Sequence, residues 1–172
     1  SAPAILRILN QSGKHEGLVV DLGCGSGLWA RELAKASYKV LGIDVSKAMI
    51  AIARKRVPTA EFRVASLFTV DIPACNAVTS ISECLNYIFA SKKERLAPLF
   101  RRVYKTLTPG GVFIFDLAGP GQIKGGATTR GFTEGAGWLV LVEKYEDKER
   151  SVLTRRITTF RKRGRHYRRS DE

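Results

Sequence analysis

The stretch that decides the fold is Val19-Val20-Asp21-Leu22-Gly23-Cys24-Gly25-Ser26-Gly27. Residues 18–22 form a short apolar run suited to a buried strand, and 28–37 carry helical spacing. Glycines at a strand-to-helix junction let the chain turn tightly and let a ligand approach the backbone with no Cβ in the way. The spacing is GxGxG, with Leu28 where a dinucleotide fingerprint needs its third glycine. The P-loop pattern GxxxxGK followed by Ser or Thr is absent, which argues against a nucleotide triphosphatase. Asp21 stands two positions before the first glycine; a carboxylate there suits a site that receives a cation more than one that receives a pyrophosphate.

Working outward, a second strand over 39–44 ends in Gly42-Ile43-Asp44-Val45-Ser46. Asp44 lies 21 residues after Gly23, and its carboxylate can accept from both hydroxyls of a ribose. Its other possible role is to cap the helix over 46–57, but Ser46 can do that alone, and Pro58 stops the helix. Strands are predicted over 61–65 and 77–82. A helix over 92–107 places Leu96, Leu99, Phe100, Val103 and Leu107 at helical spacing; Pro109-Gly110-Gly111 ends it, and a fifth strand covers 112–117. Strands alternating with helices predict an α/β fold, a doubly wound, mostly parallel sheet with right-handed crossovers.

The pattern changes after Ala118. Residues 119–137 hold seven glycines and read as a mobile loop. The β-rich runs 138–145 and 152–160, joined by the charged turn 146–150, predict an antiparallel hairpin. Three segments result: a core over 1–118, a Gly-rich loop over 119–137, and a hairpin cap with a basic tail over 138–172.

At 172 residues, with 44% hydrophobic and 26% charged, the chain has one domain's length and enough apolar content for a full core, which excludes a disordered or collagen-like chain. Apolar runs stop early, at Asp116 and Glu143, so no membrane span or signal segment is expected. Cys24, Cys75 and Cys84 form no CxxC pair, and only His15 and His166 accompany them; a zinc cluster cannot be assembled, and a reducing, cytoplasmic setting fits. The net charge is +13, of which +7 falls in residues 148–172, where ten Lys and Arg face three Asp and Glu. That segment reads either as a solvated strand face or as a surface for an anionic partner such as nucleic acid through 148–169.

With these pieces in place, the chain resembles the class I S-adenosylmethionine-dependent methyltransferases over roughly residues 18–118, through VVDLGCGSG, GIDVS, AVTSISECLNYI and LTPGGVFIFDL. The first and last of these are together highly specific. The resemblance is closest to single-domain bacterial and archaeal enzymes with a β-rich cap after strand five. It implies a Rossmann-like core that binds S-adenosyl-L-methionine. It implies that the backbone at Gly23, Cys24 and Gly25, within the turn closed by Gly27, faces the methionine part, with Asp21 near the amino group. Asp44 would hold the ribose, and Val45 and Met49 would border the adenine. The family usually has an acidic residue after strand three; here Ser66 replaces it, leaving the backbone N–H of Leu67 as the ring contact. Ser82 and Glu83, after strand four, would lie beneath the sulfonium.

Methyl transfer from a sulfonium is a direct displacement that needs alignment and exclusion of water, and a base only if the acceptor arrives protonated. Candidates near the reacting centre are Glu83, Asn86 and Tyr87; Glu83 also reads as a solvated loop carboxylate, and Tyr87 as a core or pocket-wall aromatic. The Pro-Pro-aromatic motif of amino-methylating nucleic-acid enzymes and the Pro-Cys nucleophile of cytosine enzymes are both absent. Cys75 and Cys84 read as inert core residues, and the two histidines as surface residues. The expected activity is methyl transfer to a small molecule. The alternatives are an RNA or protein methyltransferase using the basic segment, and a non-catalytic cofactor-binding subunit.

Family members normally finish the sheet with two more strands and a helix, and no helical pattern follows 112–117. The expectation is a chain truncated before those elements. Strand five would then be an open edge, giving a homodimer or low stability, with weak catalysis in either case.

Overall fold

The structure, a computed structural model, describes residues 2–13, 16–87, 96–119, 121, 123, 127–150 and 152–172. Two compact units divide the chain, residues 1–117 and 118–172.

In the first unit the elements run α1 (Ala2–Gln11), β1 (Leu18–Leu22), α2 (Leu28–Lys35), β2 (Lys39–Asp44), α3 (Lys47–Arg56), β3 (Glu61–Val64), β4 (Cys75–Ser80), a 3-10 turn at Cys84–Asn86, α4 (Leu96–Thr106) and β5 (Leu107–Phe115). The five strands form one sheet in the order β3-β2-β1-β4-β5, with every neighbouring pair parallel. Parallel strands joined through helices bury both faces, and the two faces carry separate cores. Val19, Val40 and Ala77 pack with Leu9 of α1, Ala30 and Leu33 of α2, and Ile50 and Ala53 of α3. Val20, Leu41, Ile43 and Val78, one residue over in each strand, pack with Leu99 and Val103 of α4. That alternation is the period-2 geometry of a strand, and it accounts for the nearly unbroken apolar runs. Strand order reverses between β1 and β4, so the loops after these two strands flank the point where such sheets bind ligands.

The predicted parallel core is present, with several boundaries moved. Helix α1 was not foreseen, although Ile5, Leu6 and Leu9 share its inner face. Helix α2 stops at Lys35 because Ser37 adopts a left-handed φ of 68°. Strand β4 ends at Ser80, short of 82, because Ser82 and Glu83 are also left-handed. Strand β5 begins at Leu107 and carries Pro109-Gly110-Gly111 inside it, with a register shift opposite Cys75–Ala77. The predicted start of the fourth helix at 92–95 and His15 lie outside the described residues.

The second unit corrects the sequence reading more strongly. It is a four-strand antiparallel sheet, β6 (Thr129–Gly135), β7 (Trp138–Asp147), β8 (Val152–Arg163) and β9 (His166–Asp171), in that order. The expected hairpin is its centre. The expected Gly-rich loop contains β6, and the expected tail contains the end of β8 and all of β9. Every residue of β6 and β9 is exposed, so neither shows the apolar alternation that reveals a half-buried strand. Pairing partners supply the order: β9 is held by Asp171, which accepts from Thr158 Oγ1 at 2.6 Å, and by two backbone bonds between Ile157 and Glu172. Buried Glu146, within β7, accepts from the amides of Gly121 and Ile123 and is a satisfied polar anchor.

The basic excess lies on these strands rather than on a free tail. Arg156 pairs with Glu143 and Arg169 with Asp171, while the β8–β9 register sets Arg161 directly opposite Arg168. Among the described residues no helix is long and apolar enough to cross a membrane.

Candidate functional site

The glycine turn after β1 is tied to the end of β2. The amides of Gly23 and Cys24 both donate to the Ile43 carbonyl, at 2.7 and 3.0 Å, and Gly25 N donates to Asp44 Oδ2 at 2.8 Å. The Ser26 carbonyl accepts from the Arg56 guanidinium of α3. Two glycines here are sterically required. A Cβ on Gly23, whose φ is +75°, would meet Cys84 Sγ at 2.0 Å, and one on Gly27, at φ +74°, would meet Ala53 Cβ at 3.0 Å. Gly25 differs: a Cβ there meets nothing within 4 Å, so open space lies before the turn. The Cys24 side chain is buried, and its sulfur lies toward Gly42. Burial, with the Asp21 and Asp44 charges nearby, pushes its thiol far up, so Cys24 offers backbone and no nucleophile. Burial also pushes Cys75 and Cys84 up, each to about 11.

Asp44 accepts from Gly25 N through Oδ2 and from Ser46 N through Oδ1, each at 2.8 Å. The helix cap falls to Ser46, whose hydroxyl accepts from Met49 N at 3.3 Å. Each Asp44 oxygen keeps a further lone pair for a ligand. Val45 and Met49 are exposed beside it, at 51% and 43%.

Asp21 is 1% exposed. Its Oδ1 accepts from Thr79 Oγ1 at 2.8 Å, and that hydroxyl accepts from Trp29 Nε1 at 3.1 Å. Its Oδ2 is buried without a hydrogen-bond partner. Burial raises its pKa to about 7, against the Thr79 hydrogen bond, with the Asp44 charge adding to the rise. An unfolded aspartate titrates near 3.8. Between about pH 4 and pH 7 the folded chain therefore holds a proton that the unfolded chain has released. Stability contributed by this group is present below pH 4 and lost as pH rises to 7. Asp21→Asn should flatten that slope in denaturant melts taken across this range, and an unchanged slope would refute the assignment.

Ser66 and Leu67 follow β3. Ser66 Oγ accepts from Phe68 N at 3.2 Å, so its hydroxyl proton is available to another acceptor. Leu67 is buried, and Arg102 of α4 grips the Leu67 and Phe68 carbonyls at 2.6 Å. Ser82 and Glu83 form a left-handed turn after β4, and Asp116 accepts from both of their amides. Asn86 and Tyr87 are exposed at the end of the 3-10 turn. All these loops follow parallel strands, so the topology brings them to one edge of the sheet. Three participants were missed in the sequence: Thr79, Trp29 and Asp116. Asp116 sat in plain view between Phe115 and Leu117, but nothing local marks an acceptor for amides 33 and 34 residues away. Among the described residues, no group of three or more His, Cys, Asp or Glu is placed to hold a metal ion.

With this geometry in hand, comparison with known proteins defines the class. A family described as "Methyltransferase domain" matches residues 19–111, and the chain belongs to it. Trans-aconitate 2-methyltransferase from Delftia acidovorans is 32% identical over 120 residues, 68% of this chain and 42% of the relative. An S-adenosylmethionine-dependent methyltransferase from Clostridium acetobutylicum superposes with a TM-score of 0.82 at 20% identity, covering 99% of this chain and 70% of its own. A sugar N-methyltransferase from Streptoalloteichus gives 0.81 at 22%, covering 99% and 69%. Those two likenesses take in both units and bear out the fold, a Rossmann-like parallel core followed by an antiparallel sheet. The chain spans under half the length of the curated relatives it matches.

Proposed function

We propose that this chain carries the cofactor site of an S-adenosyl-L-methionine-dependent methyltransferase acting on a small molecule. The observation that carries the reading is Asp21: a buried carboxylate whose second oxygen lacks a partner, at the sheet's switch point and beside the open turn at Gly25. A buried unpaired carboxylate oxygen is costly, and an ammonium group satisfies it. Asp44 would receive the ribose hydroxyls on its remaining lone pairs, and Val45 and Met49 would cover the adenine with apolar surface. The Ser66 hydroxyl and Leu67 N–H would meet the ring edge. Ser82 and Glu83 would lie beneath the sulfonium.

The cofactor, when bound, supplies an electrophilic methyl group. This chain's residues then have three tasks: to hold the sulfonium in line with the acceptor, to exclude water, and, for a protonated acceptor, to take a proton. Glu83 is the candidate for the last task, with Asn86 and Tyr87 as orienting groups. The small-molecule acceptor is supported by relatives named for trans-aconitate and for a sugar. A cytoplasmic setting accords with the three free cysteines.

Calorimetry with S-adenosylhomocysteine tests the reading. Because Asp21 must ionise to receive a cation, binding should strengthen as pH rises from 6 to 8, with proton release near pH 6 that Asp21→Asn abolishes. No binding at any pH would refute the site. The basic strands lead to a separate expectation. Nucleic acid should bind weakly and be released at physiological salt, since each phosphate contact displaces counterions; a tight complex at that salt would favour RNA as the acceptor.

A further inference from the structure

The turn after β4 is held in a conformation it would not choose alone. Ser82 and Glu83 are consecutive non-glycine residues with φ of 67° and 58°, a region that L residues avoid. One side chain holds the amides of both residues. The Asp116 carboxylate accepts from Ser82 N at 3.0 Å through Oδ2 and from Glu83 N at 2.7 Å through Oδ1. Asp116 is itself placed by the sheet: Phe115 pairs with Ser80, and Asp116 N donates to the Ser80 carbonyl at 3.3 Å. The Glu83 carbonyl then accepts from Asn86 N at 3.0 Å and starts the 3-10 turn that carries Cys84. The Cys84 sulfur in turn fills the space over Gly23, where a Cβ would lie 2.0 Å from it. The geometry runs unbroken from Asp116 through the strained pair and Cys84 to the glycine turn.

We infer that Asp116 is a positioning residue for the methyl-transfer site, a carboxylate clamp that holds Ser82 and Glu83 left-handed and seats Cys84 against the turn at Gly23. Observed strain over-determined by its surroundings is characteristic of sites where geometry matters. Charge-assisted hydrogen bonds to two successive amides are strong enough to impose such a conformation. This inference rests on the cofactor reading above, and its consequence is specific: loss of the clamp loosens the cofactor site without emptying the core.

The test compares the wild-type chain with Asp116→Ala, Asp116→Asn, and Asp116→Ala combined with Ser82→Gly and Glu83→Gly. Three quantities are read: affinity for S-adenosylhomocysteine by calorimetry, hydrogen exchange of the Ser82 and Glu83 amides by NMR, and the thermal midpoint. Asp116→Ala should weaken binding about tenfold and expose both amides to exchange. Asp116→Asn, which keeps one acceptor, should lose less and provides the comparison if the alanine variant does not fold. The two glycines, at home in a left-handed turn, should recover at least about threefold in affinity on the alanine background. A merely structural role would lower the midpoint and show no such rescue, and that result overturns the inference. Affinity within about twofold of wild type, with both amides still protected, overturns it as well. Failure of the wild-type chain to bind S-adenosylhomocysteine refutes the cofactor reading instead, and amide exchange then still decides whether Asp116 sets the turn.

Discussion

Gly23→Ala is expected to destabilise the chain by about 2–5 kcal/mol, a large share of a domain's usual 5–15 kcal/mol. Two effects combine. A left-handed backbone at φ +75° costs an alanine about 1–2 kcal/mol. The new methyl also meets Cys84 Sγ at 2.0 Å, and overpacking of this kind typically costs about 1–3 kcal/mol. The two parts can be separated. On a Cys84→Ala background the sulfur is gone, so most of the overpacking cost should disappear while the backbone cost remains. Denaturant melts of the four chains in that cycle give the answer. A Gly23→Ala chain within about 0.5 kcal/mol of wild type, the usual range of neutral surface changes, would show that Gly23 is not confined by Cys84.

The second large effect concerns binding. Asp44→Ala should weaken S-adenosylhomocysteine by about 1.5–3 kcal/mol, the range for hydrogen bonds to a charged group. A second loss accompanies it, because Asp44 also accepts from Gly25 N and Ser46 N and so fixes the glycine turn to the end of β2. Asp44→Asn keeps a carbonyl acceptor but turns its other atom into a donor that faces one of those amides. It should therefore bind little better than the alanine variant. Calorimetry decides, and wild-type affinity in Asp44→Ala would remove Asp44 from the site.

The sequence disclosed the parallel core because its signals are local. A buried strand is an apolar run, a capped helix has its Ser46 and its Pro58, and the glycine turn is a short motif. Asp44 could be assigned away from capping for the same reason, since Ser46 alone accepts from Met49 N. The site's supporting network was not legible because it is made of distant pairs. Thr79 reaches Asp21 across 58 residues and Asp116 reaches Ser82 across 34. The Gly-rich β6 and the Arg-rich β9 lack apolar alternation, and each becomes a strand only because β7 and β8 present open edges to pair with. The left-handed pair Ser82–Glu83 was hidden too, since neither residue type announces a positive φ.

The chain of hydrogen bonds from Trp29 through Thr79 to Asp21 has an optical consequence. An indole whose N–H is polarised by a neighbouring carboxylate senses that carboxylate's charge, so Trp29 emission should shift as Asp21 gains or loses its proton or meets a cation. The chain's other tryptophan, Trp138, belongs to the second unit and is 40% exposed. Replacing it with phenylalanine leaves a single tryptophan, excited apart from the five tyrosines and linked through Thr79 to the carboxylate proposed at the centre of the site. The protein would then report its own occupancy, with no label attached and before any methyl acceptor is known.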